Sequence, residues 1–127
     1  MPQPAEVAAA RDKLCQWLGQ RSQGDLTAKE LREAVRVVAG EHLYVIRSAE
    51  GLKRILARLA ELVEQKVYVA TTRELVDVVE ARNLLLVAKL VAQAALERQE
   101  SRGAHFRLDY PQQDDLHWRR HIVLEKN

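Results

Sequence analysis

The run Glu100-Ser101-Arg102-Gly103-Ala104-His105-Phe106-Arg107-Leu108-Asp109-Tyr110-Pro111 closes the most apolar stretch of a 127-residue chain and opens a polar tail. Gly103 stands where a helix C-cap is expected, because only a residue without Cβ enters the left-handed conformation cheaply. Arg98 and Arg102 then place positive charge in the last helical turn, where the helix dipole favours it. Arg107 and Asp109 bring opposite charges close together, and Pro111 pushes Tyr110 into extended backbone. Ionic groups this dense are costly to bury unless each has a partner. Glu100, Ser101, Arg102, His105, Arg107, Asp109 and Tyr110 therefore form the candidate site. They read as a network that ties the tail to the helix end, or as one that also reaches a neighbouring domain.

Upstream, Thr71-Thr72-Arg73-Glu74 is a capping box, and a helix of nearly thirty residues is expected from there to Arg102. Between Leu84 and Leu96 its only polar side chains are Lys89 and Gln93, which share one stripe. A helix this apolar must be covered on most sides. Two shorter helices precede it. Thr27-Ala28-Lys29-Glu30 caps one carrying Leu31, Ala34, Val35 and Val38 to about His42. Ser48 caps another with Leu52, Ile55, Leu56, Leu59, Leu62 and Val63 along one face. Val67 to Ala70 is β-rich but short. A first helix, Glu6 to Arg21, has a narrow stripe of Val7, Leu14, Trp17 and Leu18, and ends at Gly19 and the Ser22-Gln23-Gly24-Asp25 cluster. The fold class is all-α: a three-helix bundle over residues 27–127, with residues 1–26 as an extra helix or linker and an extended C-terminal tail. Phe106, Tyr110, Trp118, Ile122, Val123 and Leu124 are the expected anchors of that tail.

Composition supports one helical domain, with 47% hydrophobic residues, few aromatics and 30% charged residues. A net charge of +2 is too small to argue for nucleic acid or an anionic membrane as partner. Cys15 is the single cysteine, so no internal disulfide or cysteine zinc cage can form, and a reducing compartment is expected. Met1 to Glu6 lacks the basic and apolar regions of a signal peptide. No stretch supplies the roughly 20 apolar residues of a membrane span. A cytoplasmic protein is the expectation, with self-association through exposed apolar surface as a further one.

The five glycines, at 19, 24, 40, 51 and 103, have no dinucleotide-fingerprint or phosphate-loop spacing. His117 and His121, four apart behind Asp114 and Asp115, have the spacing of a helical zinc pair, but a polar turn held down by Trp118 is the preferred reading. His105 beside Arg102 and Arg107 is a weaker candidate for a proton donor than for a structural or interface residue. Trp118-Arg119-Arg120 beside Arg107 offers aromatic and cationic groups to phosphate, without the broad basic face that nucleic acid needs. Arg54, Arg58 and Lys66 are read as helix-surface partners of Glu50 and of Glu61 or Glu64. No catalytic, cofactor-binding or metal-binding residue is assigned.

The opening run, with its lead-in of Asn83-Leu84, Ala88, Leu90, Ala95-Leu96 and Arg98, resembles the C-terminal helical domain of the succinate dehydrogenase, fumarate reductase and L-aspartate oxidase flavoproteins. In that family a helix of the form N-L-x-x-A-x-L-x-x-x-A-L-x-R runs into E-S-R-G-A-H-x-R-x-D-Y-P. Val45-Ile46-Arg47-Ser48-Ala49-Glu50-Gly51-Leu52 is similar to the family's G-I-V-R-S-x-x-x-L turn, with Tyr44 where Gly is usual. The resemblance covers about Leu31 to Leu124. It implies a spectrin-like three-helix bundle whose FAD and catalytic groups lie in upstream domains, in cis or on another chain. Succinate dehydrogenases and fumarate reductases typically read Y-P-x-R-D-D-x-x-W-x-K-H and continue further. Here Gln113 replaces that Arg and the chain stops six residues after His121, as L-aspartate oxidases do. The function implied is a non-catalytic scaffold and clamp of an L-aspartate oxidase, either a truncated piece or half of a split enzyme. The alternatives are a succinate dehydrogenase or fumarate reductase fragment, and a free-standing helical adaptor.

Overall fold

A computed structural model describes residues 1–17 (backbone alone at 14–17), 26–69 and 71–126. The elements run α1 (Pro4–Trp17), α2 (Ala28–His42), β1 (Ile46–Arg47), α3 (Ala49–Glu64), α4 (Thr72–Glu97), β2 (Phe106–Arg107) and α5 (Asp115–Trp118). The three bundle helices start where their caps dictate. Thr27 Oγ1 accepts from the Glu30 amide at 3.1 Å while Glu30 Oε2 accepts from the Thr27 amide at 3.0 Å. Ser48 Oγ accepts from the Gly51 amide at 3.1 Å, and Thr71 Oγ1 from the Glu74 amide at 3.3 Å. Each side chain satisfies a donor that the first turn leaves free.

Arg32 near the start of α2 pairs with Glu80 near the start of α4, so these helices run the same way. Arg82, early in α4, reaches the last carbonyls of α3, which therefore runs opposite. The core joins Leu31, Val35 and Val38 to Leu52, Ile55, Leu59 and Leu62 and to an α4 face of Ala81, Leu85, Ala88, Ala92 and Ala95. Alanines on that face let both neighbours approach α4 closely. Each buried Leu or Ile contributes about 1.5–3 kcal/mol. Val67 to Val69 forms a brace. The Leu26 amide donates to the Lys66 carbonyl at 3.0 Å and the Tyr68 amide to the Leu26 carbonyl at 2.8 Å. Val69 is buried with Ala28 and Val78 in a second small cluster.

Four expectations change. α4 stops at Glu97, five residues short of Arg102, because the backbone turns extended at Arg98 and drops Glu100 into a buried position. Gly103 (φ 57°) is consequently no helix cap. It lies in a tight turn closed by Arg102 and His105, whose amides donate to each other's carbonyls at 2.8 and 3.0 Å. Of the tail's expected apolar anchors only Trp118 and Ile122 are half-buried: Val123 is 76% exposed, and Phe106, Tyr110 and Leu124 are exposed too. It also carries β2, which pairs in parallel with β1, and the short helical turn α5. Finally, Val63 is exposed and Leu56 only half-buried, so the α3 stripe is narrower than its spacing suggests.

Residues 4–13 of α1, Val7 included, stand exposed. Its expected extension through Leu18 to Arg21, and the stop at Gly19 and Ser22 to Asp25, lie outside the described residues, as does Ala70. The outward face of α4 exposes Val76, Val79, Leu86, Val87, Leu90 and Val91, so its two partner helices cover only part of it. Among the described residues no helix is long and apolar enough to cross a membrane.

Candidate functional site

Because α4 ends early, Glu100 sits fully buried between two arginines. Its Oε1 accepts from Arg98 Nη1 at 2.6 Å and Arg102 Nε at 2.8 Å. Its Oε2 accepts from Arg102 Nη2 at 3.1 Å and the Asp114 amide at 2.8 Å. The Arg102 hydrogen bonds, helped by Asp114 and Arg98, outweigh the cost of burial and hold the Glu100 carboxyl at about 2. Arg102 also pairs with Asp115 at 2.6 Å, while Arg98 donates to the Trp118 and Arg120 carbonyls at 2.8 and 2.6 Å. One buried carboxylate thus gathers α4, the Gly103 turn and α5.

Arg107 is the second centre, 1% exposed. Its Nη1 donates to the carbonyls of Ala95, Leu96 and Arg98 at 2.9, 3.0 and 3.1 Å, the groups that the end of α4 leaves unpaired. Its Nε and Nη2 grip Asp109 at 2.8 and 2.6 Å, and the guanidinium lies 5.1 Å from the Tyr110 ring. That guanidinium holds Asp109 below the usual carboxylate range, with a smaller contribution from the Ala49 amide at the start of α3. Ser101 Oγ accepts from the Arg107 amide at 2.9 Å and donates to the Tyr110 carbonyl at 2.8 Å.

The third centre was not legible in the sequence. β1 and β2 align Ile46 with Phe106 and Arg47 with Arg107. Arg47 donates to the Tyr44 and Leu43 carbonyls past the end of α2 and, at 2.8 Å, to His105 Nδ1. A guanidinium can only donate, so Nδ1 accepts; Nε2, 3.2 Å from the Arg98 carbonyl, therefore carries the proton. Burial, and then the positive charges of Arg47, Arg107 and Arg98, lower the His105 pKa despite that carbonyl. A neutral, doubly engaged imidazole is poorly placed to donate a catalytic proton.

All seven candidate residues are thus brought together at one end of the bundle. Arg47, Arg98, Asp114 and Asp115 complete the cluster. Arg47 lies in the Val45 to Leu52 turn, but nothing in its spacing points to a partner nearly sixty positions away. Tyr44, where glycine was expected, leaves the turn intact by facing solvent.

The remaining candidates separate. α5 ends at Trp118, so His117 and His121 do not share a helix; His117 Nδ1 instead pairs with Asp114 at 2.9 Å. Among the described residues no three metal-ligating side chains converge. Arg98 and Arg120 both stack on Trp118, at 5.5 and 5.3 Å, beside a shallow cavity of about 310 Å³. Arg107 is too buried to join them at a phosphate. Glu50–Arg54 and Arg58–Glu61 pair on the exposed face of α3, where such pairs contribute little. Among the described glycines none opens a phosphate cradle for a flavin: Gly40 lies within α2, Gly51 is crowded by His42 and Ser48, and Gly103 closes a turn.

Comparison with known proteins agrees with this geometry. A family model described as "Fumarate reductase flavoprotein C-term" matches residues 29–127. The L-aspartate oxidase of Streptomyces coelicolor is 36% identical over 113 residues, 85% of this chain and 20% of that protein. The fumarate reductase flavoprotein subunit of Helicobacter pylori is 36% identical over 105 residues, 76% of this chain and 15% of that subunit. Among solved structures, Mycobacterium smegmatis Sdh1 in complex with UQ1 superposes with a TM-score of 0.81 at 30% identity, over 88% of this chain and 20% of Sdh1. The chain therefore spans 15–20% of the length of these relatives, and it belongs to the C-terminal domain family of the fumarate reductase and succinate dehydrogenase flavoproteins.

Proposed function

We propose that residues 27–127 act as the C-terminal scaffold and clamp of an L-aspartate oxidase, with residues 1–26 as the segment leading into it. The observation that carries this reading is the buried Glu100–Arg107 cluster, which makes one end of the bundle rigid, in a chain 36% identical to an L-aspartate oxidase. Gln113 favours this substrate over succinate. It stands where succinate dehydrogenases and fumarate reductases typically carry Arg, and here it donates to Asp115 at 3.0 Å. The parent enzyme would hold FAD outside this chain and oxidise L-aspartate to iminoaspartate in the cytoplasm, on the quinolinate route to NAD, with oxygen or fumarate as acceptor. This chain supplies no catalytic side chain; its role is to orient and shield.

The second reading is a succinate dehydrogenase or fumarate reductase subunit, favoured by the equal 36% identity to the Helicobacter pylori protein. A free-standing adaptor would use the exposed apolar face of α4. The test mixes this chain with the Streptomyces coelicolor L-aspartate oxidase lacking the fifth that it matches. Aspartate-dependent reduction of oxygen or fumarate, with succinate inert, is the expected result. Rescue instead of the Helicobacter pylori fumarate reductase flavoprotein subunit lacking the share that it matches would favour the second reading, and rescue of neither would favour the adaptor. The chain alone is expected to be colourless; tightly held yellow flavin would overturn the assignment.

A further inference from the structure

The β1–β2 pair has two unlike faces. Successive residues of a strand point to opposite sides. Arg47 and Arg107 turn inward to the α2 and α4 carbonyls. Their neighbours Ile46 and Phe106, aligned across the pair, turn outward, and Tyr44 and Leu108 in the adjoining bend and turn are exposed beside them. Ile46 and Leu108 are each 62% exposed and Tyr44 is 73% exposed. Exposed apolar side chains grouped in this way are what interaction surfaces carry. It is also preorganised, since Arg47, His105, Ser101 and Arg107 pin both strands from beneath and little freedom remains to be lost on docking.

Resting on the clamp reading above, we infer that the outward face of β1–β2 (Ile46 and Phe106, with Tyr44 and Leu108 beside them) is the surface that docks against the flavin-binding remainder of the parent flavoprotein. The occupant follows from the share of chain. The Streptomyces coelicolor and Helicobacter pylori relatives are at least four-fifths other sequence, so the largest surface available to this domain in such a protein is that remainder. The patch lies at the end of the bundle where the two resemblance-bearing segments meet, whereas the outward face of α4 runs along its side.

The test uses the 127-residue chain and, as probe, the Streptomyces coelicolor L-aspartate oxidase lacking the fifth that it matches. Hydrogen exchange on mixing is expected to slow at residues 44–46 and 106–110. Ile46→Asp and Leu108→Asp are each expected to weaken association on the order of tenfold or more. Both positions are exposed, so helical circular dichroism should be unchanged; should either variant misfold, exchange on the unsubstituted chain decides. Association with protection elsewhere, such as along α4 alone, or association that both folded variants retain, overturns this inference and leaves the clamp reading standing. Failure of the unsubstituted chain to associate overturns both. Protection of the patch in the chain alone as its concentration rises would assign the surface to a second copy instead.

Discussion

Arg107 places a full positive charge where almost no water reaches it, and the fold tolerates this because three carbonyls and Asp109 surround the guanidinium. Removing one partner of a buried ionic cluster leaves the others unpaired, which costs more than the pair itself is worth. Arg107→Met is therefore expected to lower stability by about 3–5 kcal/mol, read from the urea midpoint. Arg107→Lys keeps the charge but cannot fork to Asp109 and the α4 carbonyls together, and should lose about 1–3 kcal/mol. A Met variant as stable as the Lys variant would mean that the helix end needs no cap. His105 gives a second prediction, in pH. Its folded pKa lies below the ordinary value of about 6.5, so between the two the unfolded chain binds a proton that the folded chain does not. Its contribution is fully present above about 6.5 and is lost as pH falls toward the folded value. Denaturant titrations should show stability rising with pH in that window, and His105→Gln should flatten the slope. Glu100 acts lower: its contribution holds above the unfolded value of about 4.3 and is lost as pH falls through its folded value of about 2. A wild-type profile that is flat just below pH 6.5 would sink the assignment of His105 as neutral and doubly bonded.

Helix starts were legible in the sequence because their chemistry is local. Thr27, Ser48 and Thr71 each cap a first turn three residues away. Thr27→Ala is expected to cost about 1 kcal/mol, with helicity lost first at the start of α2. Helix ends were less legible because their partners are remote. The end of α4 was placed at Gly103 on a local rule, but the carbonyls there are satisfied by Arg107, ten residues beyond the actual end at Glu97. Gly103 still needs its positive φ for the turn, with open space where a Cβ would stand. Gly103→Ala should therefore cost about 1–2 kcal/mol through backbone strain alone, measurable as a lower thermal midpoint. The β1–β2 pairing joins two-residue strands sixty positions apart, too short for any period to register. The anchors of the tail were misread for a related reason. Apolar residues draw attention in a sequence, while the Arg98, Glu100 and Arg107 contacts that hold the tail depend on three-dimensional arrangement.

Across the whole molecule one device recurs: each bundle helix ends against an arginine from another segment. Arg47 serves the carbonyls just past α2, Arg82 serves α3 at the Leu62, Val63 and Gln65 carbonyls, and Arg107 serves α4. Cationic groups at helix C-termini are favoured by the dipole, and a planar fork can serve several carbonyls at once. Burial lowers the Arg47 and Arg82 pKa values, but a guanidinium remains charged. Because α3 runs opposite to α2 and α4, Arg82 works at one end of the bundle and Arg47 and Arg107 at the other. Arg47 and Arg107 are further joined through the β1–β2 pairing and through His105. Energetic coupling should follow that geometry. In double-mutant cycles with methionine, Arg82 and Arg107 are expected to be additive within about 0.5 kcal/mol, since they share no partner. Arg47 and Arg107 should couple by about 0.5–3 kcal/mol, because loss of either loosens the strand pair that positions the other. Equal coupling in both cycles would mean that the two ends communicate through the core and that the clasp is no separate unit. Additivity in both would mean that the parallel strand pair carries no energy of its own, and that the rigid end proposed to meet the flavoprotein is held by its helices alone.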